Sequence, residues 1–430
     1  MDTRGKHLGR RVWWARWWAL GGAVVLVAGG ALVALAATST SSGSTPASGA
    51  RPPAGRTAPT ISPAAALALA RAQLAAAVTV SPAPGTTGVA LNAPVTVSTA
   101  AGSLMSVQVI NAAGSPISGA LTATRAAWRS STPLQPTSTY RLVATVARPD
   151  GLTAQRVATF TTLTPTYLVG ATAYPTDGMT VGVGQPIVIN FDHFVRTTAG
   201  QTAALSHITL SMSKPVPGGW HWFSMDELHF RPKTYWPTGE KITVKANFDG
   251  WNAGLGRWGH GQVEETFSIG DARISTANLA TDEMTVTLNG ATVATYPISG
   301  GRQQYPTMNG THIVLDRSSV VHMVSSTVGI PVNSPNGYNE TVYWDVHISD
   351  SGEYVHSAPW SVADQGSINV SHGCINLSPA NAQQFFGFSR VGDVVNVVGG
   401  PRPPVPTDGG VEDWSSVPWT AFTPVPVSAL

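Results

Sequence analysis

The sequence predicts a mainly β protein of several domains set behind an apolar amino-terminal segment. Three observations lead there. Charged residues make up only 11% of the 430, while Gly and Pro number 44 and 32; that mix suits short strands and many turns and argues against long solvated helices. From about residue 79 onward, apolar residues alternate over short runs bounded by turn residues. Before that point, the stretch 17–37 (WWALGGAVVLVAGGALVALAA) holds no charge at all.

Taken in order, residues 1–16 form a basic segment: Arg4, Lys6, Arg10, Arg11 and Arg16 against Asp2. The whole chain has 25 Lys and Arg against 23 Asp and Glu. The formal net charge of +2 is therefore made at the amino terminus, and everything after Arg16 is slightly acidic. That balance leaves no footprint for nucleic acid. The stretch 17–37 is long enough to cross a bilayer as a helix. The basic cluster ahead of it keeps the amino terminus in the cytoplasm and sends the rest outside. A cleaved signal peptide is the other reading, since Ala34-Leu35-Ala36 resembles a small-residue cleavage site. Both place the remaining chain beyond the membrane, as a single-pass anchored or a secreted protein. Residues 38–78 are expected to be a flexible linker, rich in Ser, Thr, Gly, Ala and Pro up to about 60; within it PAAALALARAQLAAAV (63–78) reads equally well as a short helix.

Two units of similar strand order follow, at 79–164 and 165–270. Val183–Ile189 echoes Leu91–Val97, Pro237–Val244 echoes Pro136–Val143, and Thr266-Phe267 echoes Thr159-Phe160. The offset between the copies grows along the chain, so the second copy carries insertions, among them Trp220–Phe223 and Trp251–His260. Repeated units of short alternating strands read as tandem immunoglobulin-like sandwiches without the disulfide of antibody domains. The aromatic insertion 219–230 (GWHWFSMDELHF) reads as packing surface ahead of a glycan-contacting face.

A third, β-rich unit is expected over 271–400. Glu283–Leu288, Asn289-Gly290 and Ala291–Tyr296 spell a hairpin with a primed turn. Strands are expected at 311–315, 341–349 and 393–398. In Tyr343–Ile348, alternation puts Tyr343, Asp345 and His347 on one face, and His312, His322 and His347 read as structural. Residues 329–339 (GIPVNSPNGYN) form a long irregular loop suited to be a lid. Ser378-Pro379 opens one short helix ending near Gly387. The Pro-rich tail, 401–430, carries Trp414, Trp419 and Phe422, which suggests that it docks.

The chemistry gathers at Ser371-His372-Gly373-Cys374-Ile375-Asn376. Cys374 is the sole cysteine, so an exported chain that keeps it has no internal disulfide to make and points to a working thiol. A free thiol has a pKa of about 8.5 and needs a base to attack a carbonyl at neutral pH. His356, a short way upstream in His356-Ser357-Ala358-Pro359-Trp360, can take the proton and later give it to a leaving amine.

These two stretches together resemble the signature of the L,D-transpeptidases. The resemblance directly covers 271–400, and the paired sandwiches, membrane segment and Trp-bearing tail resemble the long exported members of mycobacteria. It implies a Cys374 acyl-enzyme formed on a donor tetrapeptide stem of peptidoglycan, loss of D-alanine, and a 3–3 cross-link to the side-chain amine of an acceptor stem. It further implies that the main-chain carbonyl or hydroxyl of Ser357 anchors His356. On the residues themselves, the amides of Gly373 and Cys374, with that of His372, are candidates for the oxyanion, His372 for an orienting or binding role, and Asn376 for holding the turn. By resemblance Tyr338, Met323 and Trp360 border the substrate pocket, beside Ser371 and Asn376. Carbapenems are expected to leave a stable thioester.

A hydrolase of the same fold shares this machinery, and a non-catalytic wall-binding protein is the alternative from another class. A zinc site of His356, His372 and Cys374 has the ligand count of an open catalytic set but no supporting spacing. No nucleotide, nicotinamide or metal motif is present, so no cofactor is expected; the partners are stem peptides and, through residues 17–37, the membrane.

Overall fold

The computed structural model describes residues 61–427. The basic segment, the 17–37 anchor or signal peptide and the first part of the linker lie outside the described residues. Among those described, no helix is long and apolar enough to cross a membrane.

The chain enters as a helix, Pro63–Ala76. Ser62 caps it, its hydroxyl accepting from the Ala65 N–H at 3.2 Å, with Pro63 in the first turn, where a missing N–H costs nothing. Leu74 is buried in the first sandwich's core. This corrects the expected linker of 38–78: residues 63–76 are helix, because an Ala-rich segment with a good cap folds once one leucine finds a core.

Strands Val78–Ser81, Thr96–Thr99, Ala127–Ser130 and Gly119–Leu121 form one sheet, and Ser103–Asn111, Thr139–Ala147 and Thr153–Thr161 the facing one. In Thr139–Ala147, Tyr140, Leu142, Ala144 and Val146 point inward, as its alternation dictates.

The second sandwich sets Thr180–Val181, Gln262–Ile269, Lys241–Asn247 and Ile208–Met212 against a five-stranded sheet. It also holds a helix, Thr198–Leu205, which its weak pattern did not announce. The 219–230 insertion lies within the five-stranded sheet as Gly218–Trp222 and Glu227–Pro232, with Trp220, Leu228 and Phe230 buried. It is therefore packing.

The tail docks here. Thr423–Val425 adds a strand beside Gly218–Trp222, and the Trp414 indole donates to Gly184 O at 2.7 Å. The Arg231 guanidinium lies over Trp414 (4.5 Å), Phe422 (4.5 Å) and Trp419 (5.2 Å), a geometry that gains cation–π attraction as well as buried area. Next to it His229 sits between Asp413 (2.9 Å) and Glu227 (2.8 Å).

The third unit has two sheets. One runs Ala291–Pro297, Glu283–Leu288, Arg273–Asn278, Val394–Val398, Gly310–Ile313. Its hairpin turns on Asn289 and Gly290, both at positive φ (50° and 85°), as a primed turn requires. The other runs Asp316–Val324, Asn339–Ser349, Glu353–Ser357, Ile375–Leu377. The helix Pro379–Phe388, capped by Ser378, buries Phe385 with Val346, Val355 and Ile375.

One alternation fails. Tyr343 is exposed while Asp345 is fully buried. The ladder slips between Tyr343 and Val346, with Trp344 at φ +62°. Such a bulge resets which residues face inward.

Candidate active site

The strand Ile375–Leu377 runs parallel to Glu353–Ser357 and pairs His356 with Asn376, Val355 with Ile375. Just before this strand the chain makes the Ser371–Cys374 turn, so the pairing carries a histidine and a cysteine from separate stretches of the chain to one place. Both line a cavity of about 290 Å³ together with Met323, Tyr338, Trp360, Ser371, His372 and Asn376. Of the sequence-predicted site residues, only Ser357 and Gly373 lie outside its lining.

Those two act from behind. His356 Nδ1 is 3.0 Å from the Ser357 carbonyl oxygen, which only accepts, so Nδ1 carries the hydrogen and Nε2 is left as base. The ring is buried, and burial pulls its pKa down to about 4 in spite of that carbonyl. Gly373 has φ +130°, in the left-handed region that a side chain would strain. Its N–H donates to the Ser371 hydroxyl at 3.1 Å, and that hydroxyl donates to the Cys374 carbonyl at 2.6 Å. Ser371 therefore holds the turn. Asn376, expected to do so, donates instead to the Ser361 hydroxyl at 3.1 Å. The Gly373 amide, expected at the oxyanion, is already engaged.

The Cys374 thiol points toward the Gly352 carbonyl oxygen, 3.8 Å away. Burial pushes its pKa up to about 12, with Glu353 and Asp345 adding to the rise and the Tyr354 main chain offsetting part of it. The surroundings thus favour the neutral form of each group, pushing the thiol up and the imidazole down.

Around this pair, Trp360 stands in the turn Pro359–Ser361, its ring centroid 6.2 Å from that of His356. Tyr338 lies 5.0 Å from the His372 ring, its hydroxyl pushed up to about 12 by burial, then by Cys374 and Glu340. Met323 comes from Asp316–Val324. Two other histidines of this unit are held away from the thiol by their own partners: His312 meets two main-chain carbonyls at 2.9 and 3.0 Å, and His347 pairs with Asp316 at 2.9 Å and stacks on Tyr354. Zinc on His356, His372 and Cys374 does not suit this arrangement, because His372 Nε2 faces the Arg302 guanidinium at 2.6 Å.

Comparison with known proteins points to one family. The profile of the L,D-transpeptidase catalytic domain fits residues 272–397, and that of a bacterial Ig domain fits 86–252. L,D-transpeptidase 2 of Mycobacterium tuberculosis is 41% identical over 335 residues, 78% of this chain and 81% of the relative. The chain belongs to the L,D-transpeptidase family. L,D-transpeptidase 5 of the same species is 31% identical over 346 residues, 79% of this chain and 74% of the relative. A solved L,D-transpeptidase in complex with imipenem is 36% identical over 53% of this chain and 99% of its own, with a TM-score of 0.47.

Sequence reasoning missed several parts of this L,D-transpeptidase site. A second cavity, about 480 Å³, opens on Cys374 and is lined by Tyr305, Gly352, Glu353 and Arg402, sharing Tyr338 and His372 with the first. Arg402, from the tail, pairs with Glu353 at 2.7 Å. Asp345 is buried with neither carboxylate oxygen hydrogen-bonded. No motif marks these residues; only the tertiary fold brings them to the thiol.

Proposed function

We propose that the chain cross-links peptidoglycan through a Cys374 thioester, with His356 as the single proton carrier. The observation that carries this is the shared cavity of Cys374 and His356, with His356 Nδ1 anchored on the Ser357 carbonyl. Cys374 Sγ attacks the carbonyl of the third residue of a donor tetrapeptide stem while its proton passes to His356 Nε2. The amides of His372 and Cys374 receive the oxyanion. When the tetrahedral adduct collapses, the C–N bond to D-alanine breaks and His356 returns the proton to the leaving amine. The side-chain amine of an acceptor stem then attacks the thioester. His356 accepts a proton from that amine and delivers it to the departing sulfur, which restores the thiol and releases a 3–3 cross-link.

The two cavities that meet at Cys374 suit a donor and an acceptor on opposite sides of one thioester. Trp360, Met323 and Tyr338 wall the first, Ser371 shapes the turn and Asn376 ties it to Ser361. The division into sandwiches at 79–164 and 165–270, a catalytic unit at 271–400 and a tail at 401–430 fits this task. Residues 17–37 would hold the enzyme at the outer face of the plasma membrane, or direct its export.

Intact-mass spectrometry with a tetrapeptide stem, a carbapenem and a penicillin tests the reading. A tetrapeptide acyl mass and a lasting carbapenem adduct, both lost in Cys374→Ala, are expected. A lasting penicillin adduct with no carbapenem adduct would sink it, as would acylation that survives the substitution.

A further inference from the structure

Arg302 has no part in the proton transfers above, yet it is tied to the catalytic turn from two directions. Its main-chain N–H donates to the Ser371 carbonyl at 3.0 Å, and the Ser371 N–H reaches Gly300 O at 2.9 Å. Its guanidinium then spreads over His372, Asn336 and Val370, and lies over the Tyr305 ring at 4.8 Å. Nη2 lies 2.6 Å from His372 Nε2 and 3.0 Å from Asn336 Oδ1, and Nη1 donates to Val370 O at 3.2 Å.

A guanidinium stays charged and only donates. Both ring nitrogens of His372 face the guanidinium, Nδ1 at 3.5 Å from Nη1 and Nε2 nearer at 2.6 Å from Nη2; Nε2 is therefore the acceptor and the imidazole is neutral. Burial, then the positive charge of Arg302, holds its pKa below the ordinary value, against a hydrogen bond to the Asn336 main chain that raises it. Asn336 is thus held by Arg302 through its side chain. It belongs to the irregular segment 329–338, and the two residues after it, Gly337 and Tyr338, line the cavity of Cys374. The His372 ring also lies against two tyrosines, both tilted to it, Tyr305 at 5.2 Å and Tyr338 at 5.0 Å between centroids.

We propose that Arg302 is a positioning residue that, with His372 as its neutral partner, latches the 329–338 segment onto the catalytic turn and so fixes Tyr338 in the substrate wall. His372 is then part of a latch and carries no proton during turnover. The proposal deepens the transpeptidase reading, but its two structural readouts do not depend on turnover.

The test uses the full chain with Arg302→Ala, Arg302→Lys and Asn336→Ala, the last in an exposed loop position that leaves the fold intact. Three quantities are read: hydrogen exchange over 329–338, the His372 titration by NMR, and two rates at Cys374, alkylation by iodoacetamide and acylation by a carbapenem. In Arg302→Ala the segment should exchange faster and the His372 midpoint should rise. Carbapenem acylation should fall about tenfold, the size of losing one charge-assisted hydrogen bond from an ordered site. Iodoacetamide, too small to need that wall, should react as fast as before or faster. Arg302→Lys keeps the charge and loses the fork, so His372 should titrate near its original midpoint while exchange stays fast. Asn336→Ala should speed exchange with little movement of that midpoint. Unchanged exchange in both alanine variants overturns the latch. Equal losses in alkylation and acylation also overturn it, since Arg302 would then act on the thiol itself. If no carbapenem adduct forms even in the parent chain while exchange and titration shift as expected, the latch stands and the transpeptidase reading falls.

Discussion

The two sandwiches share a strand pattern, but the first is appended to the molecule and the second is built into the catalytic unit. The first closes a core of its own, from Leu74 to Phe160, and clefts of about 330 and 250 Å³ run between it and the second. The second extends its core to Val394 of the catalytic unit. The Gly182 and Gly184 amides donate to Val391 O (2.8 Å) and Gly392 O (2.9 Å), and a Cβ on Gly182 would fall 2.2 Å from the Asp393 nitrogen. The tail then returns from the catalytic unit to add a strand to the second sandwich. A repeated strand pattern predicts a repeated fold but says nothing of whether a core is shared. That is decided by a few small residues at a backbone contact and by aromatics far along the chain.

The largest effect should come from breaking the shared part. Deleting 411–427 uncovers Arg231 and removes Trp414, Trp419 and the buried Phe422. Losses of large buried aromatics run at about 3–5 kcal/mol each, and partial exposure here reduces the sum. For a protein of this size we expect Tm to fall by about 10 °C, measured by scanning calorimetry of the full chain and the truncated one. A fall of a degree or less would mean that the tail covers the second sandwich without stabilising it.

The same contrast governs what was legible in the sequence. The primed turn at Asn289-Gly290, the Ser378-Pro379 helix start and the alternation of Thr139–Ala147 are local signals, and the structure repeats them. Cys374 and His356 were legible because the motif stretches carry the chemistry in a few consecutive residues. The 343–348 face was misread because a bulge at Trp344 is set by the neighbouring strands. Arg302, Arg402 and Asp345 were invisible for a related reason: each reaches the thiol's surroundings from a separate segment, and no local pattern records that meeting. Asn376 and Ser371 were both named, but which of them holds the turn depends on side-chain geometry that residue types do not settle.

A smaller effect concerns pH and again separates the two sandwiches. Burial alone would lower the His229 pKa, but Asp413 and Glu227 outweigh it and raise it from 6.5 to about 10. Burial raises Glu412 from 4.5 to about 7, in spite of His229. Both values lie above those of the unfolded chain, so both groups contribute stability that is complete at low pH and lost as pH rises. Glu412 loses its share as pH rises from 4.5 through about 7, His229 from 6.5 through about 10. Buried Asp345, Glu353 and Asp393, each raised to about 7, add a loss of the same sign in the catalytic unit. The Tm of the full chain should therefore decline from mildly acidic to alkaline pH. His229→Gln should flatten the alkaline part and, by removing the charge that holds Glu412 down, move the Glu412 loss to higher pH. An unchanged alkaline slope in that variant would remove His229 from the account of tail docking.

The smallest effect should follow from removing the first sandwich. A chain beginning at residue 165 keeps the core that reaches Val394, the Gly182 and Gly184 bonds, the tail strand and every residue lining both cavities at Cys374. What it loses is the 61–164 unit, whose core is self-contained, and its apposition to Pro133 at Gly250. Changes at sites that share no partners are nearly independent, which corresponds to about a twofold limit on rate. Carbapenem acylation of Cys374, timed by intact mass, should therefore match that of the longer chain within about twofold. The Tm of the catalytic unit should move little. A tenfold slower acylation in a well-folded shortened chain would show that the first sandwich, across its clefts, helps to hold the site, and the contrast between the two sandwiches would collapse.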